Sequence, residues 1–321
     1  MTGPSSNAVA AISTTELNRE ILQNRGTAAA SATHGAGVHR FAHPFPARTT
    51  TYRQDGPPAP ISLGRMRVTR ELPALAAGEV DVSFVTKAYE EVVATDTAWN
   101  EHSHPWHELL WNAQGASTAV VGSQVWCITP TLGLWMPAGQ LHSASAVAGT
   151  SYRAHFFRHG TVSALPDEPV AVDITPLLGL LLDRLGEPDL PPRSRDVTEA
   201  MVLDVLRPAP RALLVQLPTS ALLRPIVEAV RSDPSDQRTL TGWATALDCS
   251  ARTLTRAFRA ETGTSFARWV ASVRAQHAVH LLARGFEVEV VADAVGYRSA
   301  SAFGAAFRRT TGTTPGRFRA R

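Results

Sequence analysis

The sequence predicts an α+β chain of two domains, an all-β sandwich or barrel followed by an all-α domain that carries two helix-turn-helix units. Three observations lead there. From residue 80 to residue 157, short apolar or alternating runs are separated by turn residues at close intervals. After Pro169 the apolar residues recur at helical spacing. Within the last 100 residues a segment repeats itself 48 to 49 residues further on.

Length and composition bound the rest. With 321 residues the chain is long enough for about two domains, and 44% hydrophobic residues suffice for a core in each. The longest apolar run, residues 177–182, is far too short for a bilayer, so no membrane partner is expected. Residues 1–11 lack the basic start and apolar stretch of an export signal, which predicts a cytoplasmic protein. Cys127 and Cys249 fall in different halves and predict two lone, buried thiols, not a disulfide framework or a cysteine-built zinc site. The formal net charge is only +3, but residues 222–321 hold 15 Arg and no Lys against 8 acidic residues. A basic end on a mildly acidic body is the electrostatic footprint of a nucleic-acid-binding domain, although a solvated basic face would look the same.

In chain order, residues 1–75 are rich in Ala, Thr, Ser, Gly and Pro without a sustained period, and predict a disordered tail. Residues 76–170 hold the barrel strands, with turn signals at Gln114-Gly115, Gly122-Ser123 and Pro137-Ala138-Gly139. Residues 171–217 form a helical region: 174–185 carries Leu at helical spacing, and 195–207 places Val197, Met201, Val202, Val205 and Leu206 on one side. These helices either pair with a second subunit, giving a homodimer, or pack on the barrel. A Pro-interrupted stretch, 208–218, is the linker. Residues 218–321 hold the repeat.

Ala244 recurs as Ala292, and Phe258 with Gly263-Thr264 recurs as Phe307 with Gly312-Thr313, so the second copy has one extra residue between its helices. In the first copy Leu240, Trp243, Ala244 and Leu247, then Leu254, Ala257 and Phe258, mark buried stripes. Arg252, Thr255, Arg256 and Arg259 lie opposite at spacings of three, four and seven. Such a basic face fits the major groove, where Arg contacts guanine bidentately and its neighbours hold phosphate. In the second copy Val288, Val291, Ala292 and Val295 precede a turn at Gly296-Tyr297, and Phe303, Ala306 and Phe307 follow inside. Residues 266–284 between the copies predict one long helix, a stiff spacer with Phe266, Trp269, Val270, Val273 and Leu281 inward. Gly263 and Gly312 sit where left-handed C-caps would end the reading helices.

The run Val291-Ala292-Asp293-Ala294-Val295-Gly296-Tyr297-x-Ser299-x-Ser301-Ala302-Phe303, continuing through Phe307-Arg308-Arg309 to Gly312-Thr313-Thr314-Pro315-x-x-Phe318-Arg319, resembles the signature of the AraC/XylS family of transcription regulators. The resemblance spans about 100 residues. It implies a seven-helix domain whose two reading helices enter successive major grooves of double-stranded DNA. By position, Arg252, Thr255 and Arg256 resemble base-contacting residues. Where the family often has Arg in the second reading helix, this chain has Ala305. That leaves Ser299, Ala300 and Gly304 as weak readers there, with Arg298, Arg308 and Arg309 flanking and the last two as phosphate contacts.

A second cluster lies in the barrel, at His102-Ser103-His104-Pro105-Trp106-His107-Glu108 with Gly115, and at Pro137-Ala138-Gly139-Gln140-Leu141-His142. On an extended strand His102 and His104 point the same way and His107 the other, outward. Imidazoles and a carboxylate from neighbouring strands could hold one divalent metal ion. The pattern resembles the two cupin motifs, and by position His102, His104, Glu108 and His142 would be the ligands. It departs from them with Asp96 and Thr131 where each motif opens with Gly, and with Ala146 where the second ends in Asn. The histidines either bind metal or hydrogen-bond an organic effector, in a pocket that Trp99, Trp106, Trp111, Trp126 and Trp135 could help line. The leading expectation is a DNA-binding regulator, not an enzyme, controlled by a small ligand or metal in a cupin-like barrel. The alternative is a metal-dependent cupin enzyme with an accessory helical domain.

Overall fold

The computed structural model describes residues 68–80 and 85–319. The expected tail therefore lies mostly outside the described residues, but its end does not. Val68–Arg70 forms a strand, β1, and Leu75 is buried in the core. The strands that follow are β2 (Thr86–Val92), β3 (Thr97–His102), β4 (His107–Gln114), β5 (Ser117–Val121), β6 (Gln124–Ile128), β7 (Leu132–Met136), β8 (His142–Ala146), β9 (Ser151–Phe157) and β10 (Val170–Asp173).

These strands form two facing sheets, the sandwich of the two arrangements that the strand pattern allows, and among the described residues they do not close into the barrel that the cupin resemblance implies. One sheet has the order β1-β3-β8-β5-β6 and ends on a further strand, β11 (Leu214–Gln216); the other runs β10-β7-β4-β9-β2. Alternation places Trp99, Ala119, Trp126, Ala144 and Ala146 of the first sheet against Leu110, Leu134, Met136, Tyr152, Ala154 and Phe156 of the second in a single core. The sandwich stays open because its edges are paired locally instead. β1 lies parallel on β3, and β11 comes from the linker to pair with β6. The stretch expected to be a plain connector is therefore part of the sheet.

Two helices cover the second sheet, α1 (Pro176–Leu185) and α2 (Pro192–Val205). Leu178, Leu181, Leu182, Leu185, Val202 and Leu206 pack on Leu109, Trp111, Trp135 and Phe157. Thr175 caps α1 by accepting from the Leu178 amide. The opposite face leaves Leu177, Leu180, Val197 and Met201 exposed, so the apolar residues of α2 divide between two faces.

The C-terminal region contains α3 (Arg224–Ser232), α4 (Leu240–Ala246), α5 (Ala251–Thr262), α6 (Phe266–Ala283), α7 (Val288–Ala294), α8 (Ala300–Thr311) and a 3₁₀ turn (Pro315–Arg317). The expected long spacer is α6. Its first half packs into the first helix-turn-helix through Trp269 and Val273, beside Phe258 and Leu254. Its second half is buried on all sides, because it is clasped between the second unit and the sandwich. Ala275, Ala278, Val279, Leu281 and Leu282 meet Val291, Phe303 and Phe307 on one side and Ala116, Cys127 and Val147 on the other. Cys127 is buried as expected, but Cys249 is only half-buried. Among the described residues no helix is long and apolar enough to cross a membrane.

Candidate nucleic-acid interface and histidine cluster

The two reading helices are built alike. Ser250 opens α5 and Ser299 opens α8, each hydroxyl accepting from the amide three residues on. Gly263 and Gly312 close them in the left-handed region, at φ 67° and 80°, as the sequence suggests. Leu254 and Phe258 of α5, and Phe303, Ala306 and Phe307 of α8, face inward. Arg252, Thr255, Arg256 and Arg259 are exposed on the far side of α5. On the second unit Arg298, Ser299, Arg308 and Arg309 are exposed, whereas Ala300 and Gly304 are half-buried. Ser301, Ala302 and Ala305 are exposed on α8; in the sequence the first two stand out only as part of the family signature, not as readers. None of Arg252, Arg256, Arg259, Arg298 or Arg308 makes an ion pair among the described residues.

The spacer is held in place by the sandwich. Gln276, buried on α6, donates from Nε2 to the carbonyls of Val125 in β6 and Leu213 in the linker, both at 2.8 Å. His280 Nε2 lies 2.8 Å from the Thr118 hydroxyl on β5, and Arg284 pairs with Asp96. Trp269 Nε1 donates to the Gln216 carbonyl of β11 at 2.9 Å.

The histidine cluster forms as expected, by a different local route. A register shift between Trp99 and His102 marks a bulge in β3 that turns His102 inward, opposite His142 of β8. His104 is not on a strand. It sits in the β3–β4 connection, held where the Gly139 amide donates to its carbonyl at 2.7 Å and where Ser103 and Leu75 bond each other. Glu108 enters from β4. Nitrogens of His102, His104 and His142 lie within 4.8 Å of one another, and all three rings are buried. His142 Nε2 is 3.4 Å and His104 Nε2 3.7 Å from Glu108 Oε2, contacts too loose to give that buried oxygen a hydrogen bond.

Second contacts fix the rings. His102 Nδ1 donates to the Asn100 carbonyl at 2.6 Å and His142 Nδ1 to the Gln140 carbonyl at 2.9 Å. A carbonyl can only accept, so the proton sits on Nδ1 and the Nε2 lone pair is free in a neutral ring. Burial keeps His102 and His104 neutral, lowering them to about 4 and about 3. Burial alone would raise Glu108, but His142 beside it outweighs burial and holds the carboxyl at about 2. Burial alone would lower His142 as well, but Glu108 beside it raises it, so the site offers a carboxylate and two neutral imidazoles, and the third becomes a donor when His142 gives up its proton to an incoming cation.

His107 corrects an expectation. It faces the outer side of β4 as its parity requires, but it is buried there, stacked on Trp135 at 5.0 Å, because the segment after β9 brings His159 over it. The five tryptophans likewise divide. Trp99, Trp106 and Trp126 are in the inner core, while Trp111 and Trp135 lie beneath the helices.

Two helix-turn-helix units with exposed arginines, carried on a spacer braced by a sandwich, define a DNA-binding regulator. A helix-turn-helix domain family matches residues 243–321. The HTH-type transcriptional regulator NimR of Escherichia coli is 30% identical over 225 residues, 68% of this chain and 82% of that one. RipA of Corynebacterium glutamicum, also an HTH-type transcriptional regulator, is 42% identical over 102 residues, so the chain spans only 31% of its length. Among solved structures, ToxT of Vibrio cholerae aligns over 74% of this chain and 97% of its own, at 15% identity and a TM-score of 0.31. The chain belongs to the AraC family of DNA-binding transcriptional regulators.

Proposed function

We propose that this regulator senses its signal in a cupin-like sandwich that holds one divalent metal ion on His102, His104, His142 and Glu108, and that it reads DNA chiefly through α5. The observation that carries the metal reading is the preset donor arrangement: three buried imidazoles, two of them with Nδ1 already engaged, converging beside a buried carboxylate oxygen that lacks a hydrogen bond. Carbonyl partners behind metal-bound histidines are the usual orienting shell. Four mixed nitrogen and oxygen donors suit zinc, iron, nickel or manganese. The three histidine nitrogens lie within 4.8 Å of one another, and bond lengths of about 2.0–2.1 Å require them to draw together around the ion. The bound ion would supply a Lewis-acid anchor for an oxygen-bearing effector.

Arg252 and Arg256 are the base readers of α5, with Thr255 beside them and Arg259 on phosphate. Arg298, Arg308 and Arg309 hold the backbone around α8, with Ser299, Ala300 and Gly304 at its groove-facing start and middle. The exposed pairs Leu177 with Leu180 and Val197 with Met201, one helical turn apart on neighbouring helices, form the homodimer face. The metal reading is tested by elemental analysis after dialysis against a mixture of divalent ions at neutral pH. One ion per chain is expected, and none in a His104→Ala/His142→Ala variant. A wild-type protein without stoichiometric metal overturns it.

A further inference from the structure

The internal repeat places the second reading helix in register with the first. Both helices span twelve residues between a serine cap and a left-handed glycine. A constant offset therefore sets Arg252 against Ser301, Thr255 against Gly304, Arg256 against Ala305 and Arg259 against Arg308. The buried sides agree, Leu254 with Phe303 and Phe258 with Phe307. Every long side chain of the base-reading row has thus been lost in the second unit, while the arginine at its edge is kept.

Nothing among the described residues explains the row. Ser301, Ala302 and Ala305 face solvent. Gly304 sits in the interior of α8 with helical neighbours on both sides, and a Cβ there would meet nothing within 4 Å. A mid-helix glycine destabilises by roughly 0.5–1 kcal/mol relative to alanine, so a packing role would require some neighbour that excludes a side chain. Among the described residues no neighbour needs the space.

We propose that the second unit recognises thymine-bearing duplex by close apolar approach: Ser301, Ala302, Gly304 and Ala305 let α8 settle against the major-groove floor, with the alanine methyls on thymine C5-methyl groups, while Arg298 and Arg308 hold phosphates. Apolar contact with the thymine methyl is one of the direct-readout pairings of the major groove. Arg252 and Arg256 in the first unit read guanine. The operator is then asymmetric, a guanine-bearing half-site followed about one helical turn on by a thymine-bearing one. This inference rests on the assignment of α5 and α8 as the reading helices.

The test selects binding sites for the full-length protein from randomised duplex, then replaces thymine by uracil in each half-site separately. Uracil lacks only the methyl group, so affinity should fall about fourfold per contacted methyl in the second half-site and stay unchanged in the first. Ala305→Arg should shift the second half-site toward guanine. Because the glycine position is open, Gly304→Ala should keep or raise stability while weakening the thymine site. Guanine-determined preference in both half-sites, or uracil replacement without effect, overturns the inference even if DNA binding stands. Failure to select any sequence would overturn the assignment of the reading helices together with it.

Discussion

Gln276→Leu tests how the sandwich controls the paired helices. The replacement keeps the volume of the side chain and its contacts within α6, but it removes two amide hydrogen bonds, to the Val125 and Leu213 carbonyls at 2.8 Å each. A buried neutral hydrogen bond contributes about 0.5–1.5 kcal/mol, so the docking of α6 should weaken by about 1–3 kcal/mol. Leu213 keeps the Cys127 amide as a partner at 2.9 Å, which places the expected loss in the lower half of that range. Three crossings remain, each a single contact: His280 with Thr118, Arg284 with Asp96, and Trp269 with the Gln216 carbonyl of β11. The expected result is earlier proteolytic cleavage in residues 208–218 and a urea transition that separates into two phases, with each half still folded. An unchanged single transition, within about 0.5 kcal/mol of wild type, would refute the claim that this seam joins the two halves.

Arg256→Ala should weaken specific DNA binding by about 1–3 kcal/mol and relax preference at one base pair, whereas Arg308→Ala should weaken all sequences alike and reduce the salt dependence by about one phosphate contact; equal losses on every sequence for both variants would remove the distinction between reader and anchor. His155 is buried, accepts from Trp111 Nε1 at 3.2 Å and donates to the Leu182 carbonyl at 2.9 Å. Burial lowers it to about 4, so the folded state binds fewer protons than the unfolded one below pH 6.5. The stability it contributes is present above that pH and is lost as pH falls toward 4, up to about 3 kcal/mol. His155→Gln should flatten the pH dependence of urea unfolding over that interval, and an unaltered slope would count against this assignment. Leu180→Glu with Met201→Glu should convert the dimer to monomer in analytical ultracentrifugation with little change in melting temperature, since both positions are exposed on the helices; a wild-type monomer at micromolar concentration would contradict the dimer face.

The helical half was the more legible part of the sequence because its signals are local. Cap serines, left-handed glycines and inward aromatics recur within one turn of where they act, and Gly263 and Gly312 stand where the sequence places them. The histidine cluster was also legible from residue type and spacing, although the parity argument took His104 for a strand residue. A β3 bulge and a connecting loop brought the rings together instead. What stayed hidden depends on distant partners. The strand Leu214–Gln216 exists because β6 offers an edge to a Pro-flanked linker. The all-round burial of α6 exists because the sandwich lies against it, and no periodicity within the helix records that. Open edges in place of a closed barrel follow from the same long-range pairing.

The claim that α5 and α8 form one reading unit, set apart by α6, is tested most directly by hydroxyl-radical footprinting of the full-length protein on its selected duplex. Two protected patches on one face of the helix, about 10 base pairs apart, are expected, with the patch over the guanine-bearing half lost in Arg252→Ala/Arg256→Ala. A single patch, or two that survive that double substitution unchanged, would contradict it.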